Sequence, residues 1–150
     1  MSTYSFIDVV GAIQGPGGSI SLGNGAGPSE EGLTVAMTED KNTMTIGADG
    51  SGMHSLHAGK SGTITVRFLK TSPTNALLME MYNFQTASSA NHGQNVISIR
   101  NPVRGDSVQA RQGAFRKLGD LTFAKDGGIQ EWIFDCVYID EKIGTGTPAV

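Results

Sequence analysis

The clearest pattern along the chain is the alternation of apolar and polar positions from Ser61 to Phe68. Ile64, Val66 and Phe68 fall on one side of an extended chain, and small polar residues with Arg67 fall on the other. This two-residue period predicts a strand with one buried face.

The segment after this strand predicts a helix. Ser72 is a preferred N-cap residue, and Pro73 suits the first helical position, where its missing N–H is harmless. From Pro73 to about Gln85, apolar residues fall on one stripe at helical spacing, and they are Leu77, Leu78, Met81, Tyr82 and Phe84. No other segment carries a convincing helical pattern.

The remaining pattern predicts short strands separated by glycine-rich turns. Two longer hairpins are expected, one from Leu33 to Ile46 and one from Asn95 to Arg111, with Ala114–Leu118 as a continuation of the second. Phe6–Ile13 is a predicted first strand, with Ser19–Leu22 as its short return strand, and Ile129–Asp140 is the last predicted strand. The last of these is apolar on both faces, so we expect both faces to be covered.

Two glycine-rich segments, Gly23–Gly32 and Gly47–Gly59, are predicted as loops. The second is long for a small domain, and such loops are usually functional or disordered. Together, the predicted elements indicate a single domain over residues 1–150 with a flexible tail from about Gly144. Its predicted fold class is mainly β, an antiparallel β-sandwich or partly closed barrel with one flanking α-helix.

The apolar content of the chain is low for a protein that is stable as a monomer. The 150 residues include 21 glycines, and hydrophobic and aromatic residues make up only 38% and 7%. Either long solvated loops or surfaces completed by neighbouring subunits would explain these values.

The net charge and the cysteine count argue against two features, tight DNA binding and a disulfide framework. With 11 basic and 14 acidic side chains, the net charge of −3 argues against tight binding of DNA, which usually needs a basic excess. Cys136 is the only cysteine, so an intrachain disulfide framework is excluded. The N-terminal sequence does not read as a signal peptide, and we expect a soluble chain that folds in the cytoplasm.

Two sequence patterns suggest a functional site, but the residues around them do not support it. Gly59-Lys60-Ser61 resembles the end of a phosphate loop, but position 54 is histidine instead of glycine, and the following residues alternate as a strand. His54, His57 and Asp49, with His92, are candidate metal ligands, but two of the histidines lie in a glycine-rich segment that supplies little rigidity.

For the adjacent carboxylates and for Cys136, a structural role is favoured over a catalytic one. Glu30-Glu31 and Glu39-Asp40 are adjacent in sequence, which does not make them converge on a pocket. Cys136 alternates with aromatic residues, so a buried thiol is favoured over a nucleophile. The sequence therefore predicts neither an enzyme nor a cofactor or metal site.

Several segments together resemble the tail tube proteins of contractile-tailed bacteriophages. They are Ile46–Gly50, Ser61–Val66, Thr71–Leu78, Lys117–Gly128 and Glu131–Asp135. The resemblance extends from about Phe6 to Gly146. It implies a structural virion protein whose hexameric rings stack into a tube, inside a sheath, through which DNA passes.

The resemblance also implies partners and leaves alternatives. The partners would be further copies of the chain, the tail sheath protein, baseplate and tail terminator proteins, and passing DNA without tight binding; a membrane is not expected. Assembly would take place in the host bacterial cytoplasm. The alternatives are the tube of a tailocin or type VI-like injection system and a monomeric β-sandwich binding module.

Two sets of residues are hypothetical assembly sites under this interpretation. The segment from about Thr38 to Lys60 would stack one ring on the next, through Met44, Ile46, Asp49, Met53, His54, Leu56 and His57. The two predicted hairpins would line the lumen with small polar residues, and these are Thr43, Thr45, Asn95, Ser98, Ser107 and Gln109.

Overall fold

The structure is a computed structural model that describes residues 3–23, 25 and 27–144, except for the side chains of residues 29–31. Helix α1 spans Thr74–Thr86. The strands in chain order are β1 (Val10–Gly15), β2 (Gly18–Ser21), β3 (Pro28–Met37), β4 (Asn42–Ile46), β5 (Gly52–Leu56), β6 (Gly62–Leu69), β7 (Asn95–Asn101), β8 (Asp106–Leu118) and β9 (Ile129–Lys142). The predicted flexible tail falls almost wholly outside the described residues.

Seven of these strands form one antiparallel sheet in the order β2-β1-β7-β8-β9-β6-β3. The sheet is not closed, because β2 and β3 remain as its edges in the described chain. Strands β4 and β5 form a separate two-stranded sheet. The predicted class, mainly β and antiparallel with one helix, is confirmed.

The core lies between α1 and one face of the large sheet. In β6 the predicted alternation is confirmed, since Ile64, Val66 and Phe68 are buried. Trp132, Phe134 and Cys136 of β9 face the same core. The rest of the core cluster includes Ile13, Leu22, Leu78, Met81, Ile97 and Phe115.

Within the subunit, strand β9 is covered on one face only. Helix α1 does not cover the other face, and its cover by a neighbouring subunit stays a prediction. Val137 and Tyr138 are exposed and Ile139 is buried, so the buried positions change parity after Cys136. The neighbouring strand β8 has an irregular register, and its Gln112 adopts a positive φ of 53°. Such a bulge increases the local twist and redirects the side chains that follow it.

Helix α1 agrees with the predicted span, and its buried stripe differs from the predicted one. The Ser72 hydroxyl accepts a hydrogen bond from the Thr74 N–H at 3.3 Å, as expected of a residue that caps the first turn. Leu78 and Met81 are buried, whereas Leu77 and Phe84 are about half exposed. The buried stripe is completed by Gln85, which has the required spacing from Met81.

The predicted hairpin from Leu33 to Ile46 is wrong. Strand β3 pairs with β6, placing Leu33 opposite Val66 and Val35 opposite Ile64. This pairing aligns the inward-facing apolar positions of both strands, which a hairpin with the exposed β4 would not do. Strand β3 also begins at Pro28, inside a segment predicted to be loop.

The other predicted strands are present in the structure, with smaller differences in where they begin and end. The first predicted strand starts late, because Phe6–Asp8 forms a 3-10 turn capped by the Ser5 side chain. Strand β2 returns as predicted after a turn at Pro16 and Gly17. The hairpin of β7 and β8 is confirmed, with Ser98 opposite Gln109. No helix in the described part of the chain is long and apolar enough to cross a membrane.

Candidate functional site

Residues 42–56 form a hydrogen-bonded hairpin, β4–β5. The prediction that Gly47–Gly59 is a loop is therefore wrong at Gly52–Leu56, which form β5. At its base, the His57 N–H donates to the Lys41 carbonyl at 3.0 Å, and Lys41 Nζ donates to the Gly59 carbonyl at 2.8 Å. The chain reverses at Gly50, whose φ of 88° favours glycine. The frequent glycines and histidines conceal the strand pattern of β5 in the sequence.

The tip of the hairpin is fixed by Asp49. Its Oδ1 accepts hydrogen bonds from the Ser51 hydroxyl at 2.6 Å and from the Ser51 N–H at 3.0 Å. These bonds lower the pKa of Asp49, because they favour the ionised carboxylate. The tip therefore carries a negative charge at neutral pH.

One face of the hairpin is apolar and exposed. Asn42 pairs with Leu56, Met44 with His54 and Ile46 with Gly52, and directly opposed residues share a face of the ribbon. Met44, Ile46 and Leu56 therefore lie together, with exposures between 57% and 87%. Apolar side chains grouped in this way mark an interaction surface more often than scattered ones do.

The other face of the hairpin is more polar. Thr43 and Thr45 lie there with Ser55 and with exposed Met53. The residues proposed for stacking are thus brought into one element, but Met53 is separated from the other three apolar side chains. Thr43 and Thr45 belong to the same hairpin and not to the large sheet.

The histidines of this region help to hold the hairpin. His57 Nε2 lies 2.8 Å from Thr43 Oγ1, and His54 Nδ1 lies 3.2 Å from Asn42 Nδ2. Within the described residues, no group of three or more His, Cys, Asp or Glu side chains is placed to hold a metal ion. His92 lies apart from the hairpin, just after α1.

The uncovered face of the large sheet is a mostly polar surface. Ser98 of β7 and Ser107 and Gln109 of β8 are exposed, as a lumen-lining role requires. The prediction that Asn95 lines the lumen is wrong, because its side chain is 0% exposed and cannot contribute to a wall. Its amide is bonded to Gln85 in the core, with both reciprocal distances 2.7 Å.

Three arginines on this sheet, Arg67, Arg111 and Arg116, are paired with carboxylates on neighbouring strands. Arg116 Nη2 lies 2.6 Å from Asp135 Oδ1, and Arg116 Nε donates to both oxygens of that carboxylate. These hydrogen bonds, with the charge of Asp135, raise the pKa of Arg116. The other cross-strand pairs are Arg67 with Glu131 at 3.6 Å and Arg111 with Asp140 at 3.7 Å.

Lys60 does not lie in a phosphate-loop setting. Its Nζ is 3.5 Å from Asp140 Oδ1, and its carbonyl accepts from the Ile139 N–H at 2.8 Å. The residues after it enter strand β6, and a phosphate loop would open a helix at this point. Lys60 thus fastens the base of the hairpin segment to β9.

Cys136 is buried in the core, as predicted. Burial, with a smaller contribution from the charge of Asp135, raises its pKa to about 11. Because the thiolate is the reactive form, we expect folded protein at pH 8 to react with Ellman's reagent at least about 100-fold more slowly than protein in denaturant. Absorbance kinetics measure both rates, and equal rates would contradict the burial.

Sequence reasoning missed a second exposed apolar region, at the opposite end of the sheet. Leu121 and Phe123 project from the segment between β8 and β9, and Phe123 is 84% exposed. The Lys70 ammonium lies 4.2 Å from the centre of the Phe123 ring. The available signal was a leucine and a phenylalanine within a stretch otherwise rich in Gly, Asp and Lys.

The fold matches solved structures of tail assemblies. With the tail of an empty GTA particle, solved with C6 symmetry, the TM-score is 0.62 at 11% identity, covering 95% of this chain and 100% of that one. With the sheath/tube terminator of PVC, an extracellular contractile injection system, the TM-score is 0.60 at 15% identity, covering 95% and 98%. With the anti-feeding prophage tube-terminating cap it is 0.57 at 10% identity, covering 96% and 93%. The fold is thus one used by proteins of phage-like tails and contractile injection systems.

The family follows from the sequence. The chain belongs to the bacteriophage PhiTE tail tube protein family, whose model matches residues 1–144. This is a family of structural phage-tail proteins, and the resemblance found from the sequence segments is confirmed. No curated protein matches the chain in sequence.

Proposed function

We propose that the chain is the major tail tube subunit of a contractile-tailed phage. Six copies close into a ring, and rings stack into a tube that lies within a sheath and conducts DNA. The role is structural, without catalysis or a cofactor. The subunit assembles in the host cytoplasm and ends in the virion tail, where it contacts sheath, baseplate and terminator proteins.

The open sheet is the observation that carries this proposal. Its edge strands, β2 and β3, are unpaired on their outer sides in the described chain. Exposed strand edges favour uncontrolled pairing with other chains, and closing a sheet into a barrel removes them. A ring in which the edges of neighbouring subunits meet would cover both.

The uncovered polar face of the sheet suits the wall of a DNA conduit. A wall of unpaired arginines would bind phosphates and slow the passage of DNA. Arg67, Arg111 and Arg116 each have a carboxylate partner on a neighbouring strand, which reduces that attraction. We therefore place Ser98, Ser107 and Gln109 on the inner wall.

Electron microscopy of concentrated purified protein tests the assembly. We expect sixfold rings and tubes of uniform width, and a reconstruction in which the face bearing Gln109 and Arg116 points inward. Single particles of subunit size at high concentration would support the monomeric module instead. Tubes with that face outward would contradict the proposed wall.

A tube that carries no DNA is the second candidate, since folds of this kind also occur in an extracellular contractile injection system. The two candidates differ in the particle that contains the tube. Particles purified from producing cells would contain a DNA-filled head in the first case. Headless sheathed tubes alone would favour the second.

A further inference from the structure

A cavity lies where the start of α1 meets the ends of β8 and β9. Its volume is about 250 Å³, and its apolar lining comprises Ala76, Met79, Leu118, Leu121 and Trp132. An apolar cavity of about 150 Å³ is large enough for benzene. This one, called here the end cavity, has room for more than one aliphatic side chain.

The polar side chains of the end cavity already have partners. Trp132 Nε1 donates to Asn75 Oδ1 at 3.1 Å, and Asn75 Nδ2 donates to the Leu69 carbonyl at 3.0 Å. Gln130 Nε2 donates to the Gly119 carbonyl, and Lys70 Nζ to that of Thr122. A polar ligand would gain little here, so the lining favours an apolar occupant.

The end cavity and hairpin β4–β5 lie at opposite ends of the large sheet. The hairpin joins the sheet just before Gly62, which is opposite Cys136. The cavity lies toward the other end of β6, since its lining residues Gln130 and Trp132 are opposite Phe68 and Val66. Strand β6 has eight residues and is about 25 Å long. A contact between these two surfaces on different copies is therefore head-to-tail, and such contacts build open filaments.

We propose that the end cavity receives Met44, Ile46 and Leu56 of a hairpin from the next ring. This rests on the proposed tube and adds the receiving site for the stacking segment. The hairpin is already held by its own hydrogen bonds at base and tip, so little further ordering is needed when it docks. Each ring thus offers hairpins at one end and cavities at the other.

Charge supports the same pairing. Within hairpin 42–56, Asp49 is the only residue among Asp, Glu, Lys and Arg. Lys70 is the one charged residue among those that line the cavity. The negative tip of the hairpin therefore approaches a positive charge at the receiving site, which favours this orientation over stacking of like ends.

Filling the cavity tests the proposal directly. Ala76 is exposed at the cavity rim on α1, so Ala76→Trp should block docking while the subunit still folds. Asn83→Trp, at an exposed position on the same helix that does not line the cavity, is the matched control. We expect rings without tubes from the first variant and normal tubes from the second. Tubes of undiminished length from Ala76→Trp would overturn the proposal.

Crosslinking gives a second measurement that does not depend on blocking. Leu56→Cys combined with Leu121→Cys should form disulfides between rings of oxidised tubes, seen as a ladder on non-reducing gels. Each single substitution controls for reaction with Cys136. Tubes that form without a ladder would overturn the inference and leave the proposed function standing. Failure of the unaltered protein to form any tubes would instead contradict the proposed function.

Discussion

Replacing residues 42–56 with a short Gly-Ser linker is expected to leave a folded subunit that no longer forms tubes. The fold should persist because the core cluster contains no residue of the hairpin. The linker can close without strain, since Lys41 and His57 are already hydrogen-bonded neighbours at the hairpin base. Circular dichroism would check the fold, and sedimentation with electron microscopy would check assembly.

The loss of stacking should come from the apolar face. Met44, Ile46 and Leu56 each contribute about 1.5–3 kcal/mol when fully buried. Even partial burial at about 3 kcal/mol per subunit corresponds to ~100-fold in each contact. Changing all three to serine should therefore raise the protein concentration needed for tube formation by at least about 100-fold.

The opposite face of the hairpin supplies the matched control. Thr45→Ala with Ser55→Ala changes the same ribbon on its polar side. This variant should form tubes at nearly the normal concentration. Equal effects on the two faces, or tubes of normal length from the linker variant, would contradict an interface built on Met44, Ile46 and Leu56.

The sequence revealed elements whose pattern is local. Alternation identified β6, because one buried face imposes a two-residue period, and turn residues between strand-forming segments marked β7 and β8. Ser72 and Pro73 marked the start of α1 through first-turn chemistry. Family resemblance was also visible, because its segments are spread over nearly the whole chain.

Long-range pairing was not visible in the same way. Strand β3 could pair with its neighbour in sequence or with β6, and only burial of Leu33 against the core decides between them. Strand β5, the pairing partner of β4, was hidden because exposed strands carry no inward face and so lack a clear alternation. The end cavity combines α1 with Leu118, Leu121, Gln130 and Trp132, which lie far along the chain, and no local pattern specifies this juxtaposition.

Asn95 shows why small polar residues are hard to place from sequence. It was assigned to a wetted wall by residue type, yet it lies in the core against Gln85. Gln85 could have been suspected, since it continues the stripe of Leu78 and Met81. Its partner could not, because the reciprocal amide pair depends on how α1 crosses β7.

Removing Gln85 is expected to be among the most destabilising single changes in the subunit. Gln85 Nε2 donates to Asn95 Oδ1 at 2.7 Å and to the Pro16 carbonyl at 2.8 Å, and Gln85 Oε1 accepts from Asn95 at 2.7 Å. Gln85→Leu would leave buried polar groups of both partners unsatisfied, at about 1–3 kcal/mol each. We expect a loss of about 4 kcal/mol in the free energy of unfolding, a large part of a typical total.

A double-mutant cycle separates this pair from simple loss of packing. Asn95→Leu alone leaves Gln85 Oε1 without its donor and leaves Gln85 Nε2 with only the Pro16 carbonyl, whereas the double variant removes both buried amides together. The double variant should therefore lose less free energy of unfolding than the two single variants lose together, by about 2 kcal/mol. Asn83→Leu, exposed on the same helix, should change the free energy by no more than about 0.5 kcal/mol.

Denaturant unfolding of the linker variant would provide these values, since subunits that do not stack report stability without the contribution of tube contacts. Gly15 offers an independent approach to the same pair, because a Cβ there would overlap Asn95 Oδ1 and approach Gln85 Nε2. Gly15→Ala should therefore destabilise the protein, because the amide of Asn95 must move away from Gln85 to make room for the added Cβ. Additive losses in the cycle would show that the amides do not act as a coupled pair.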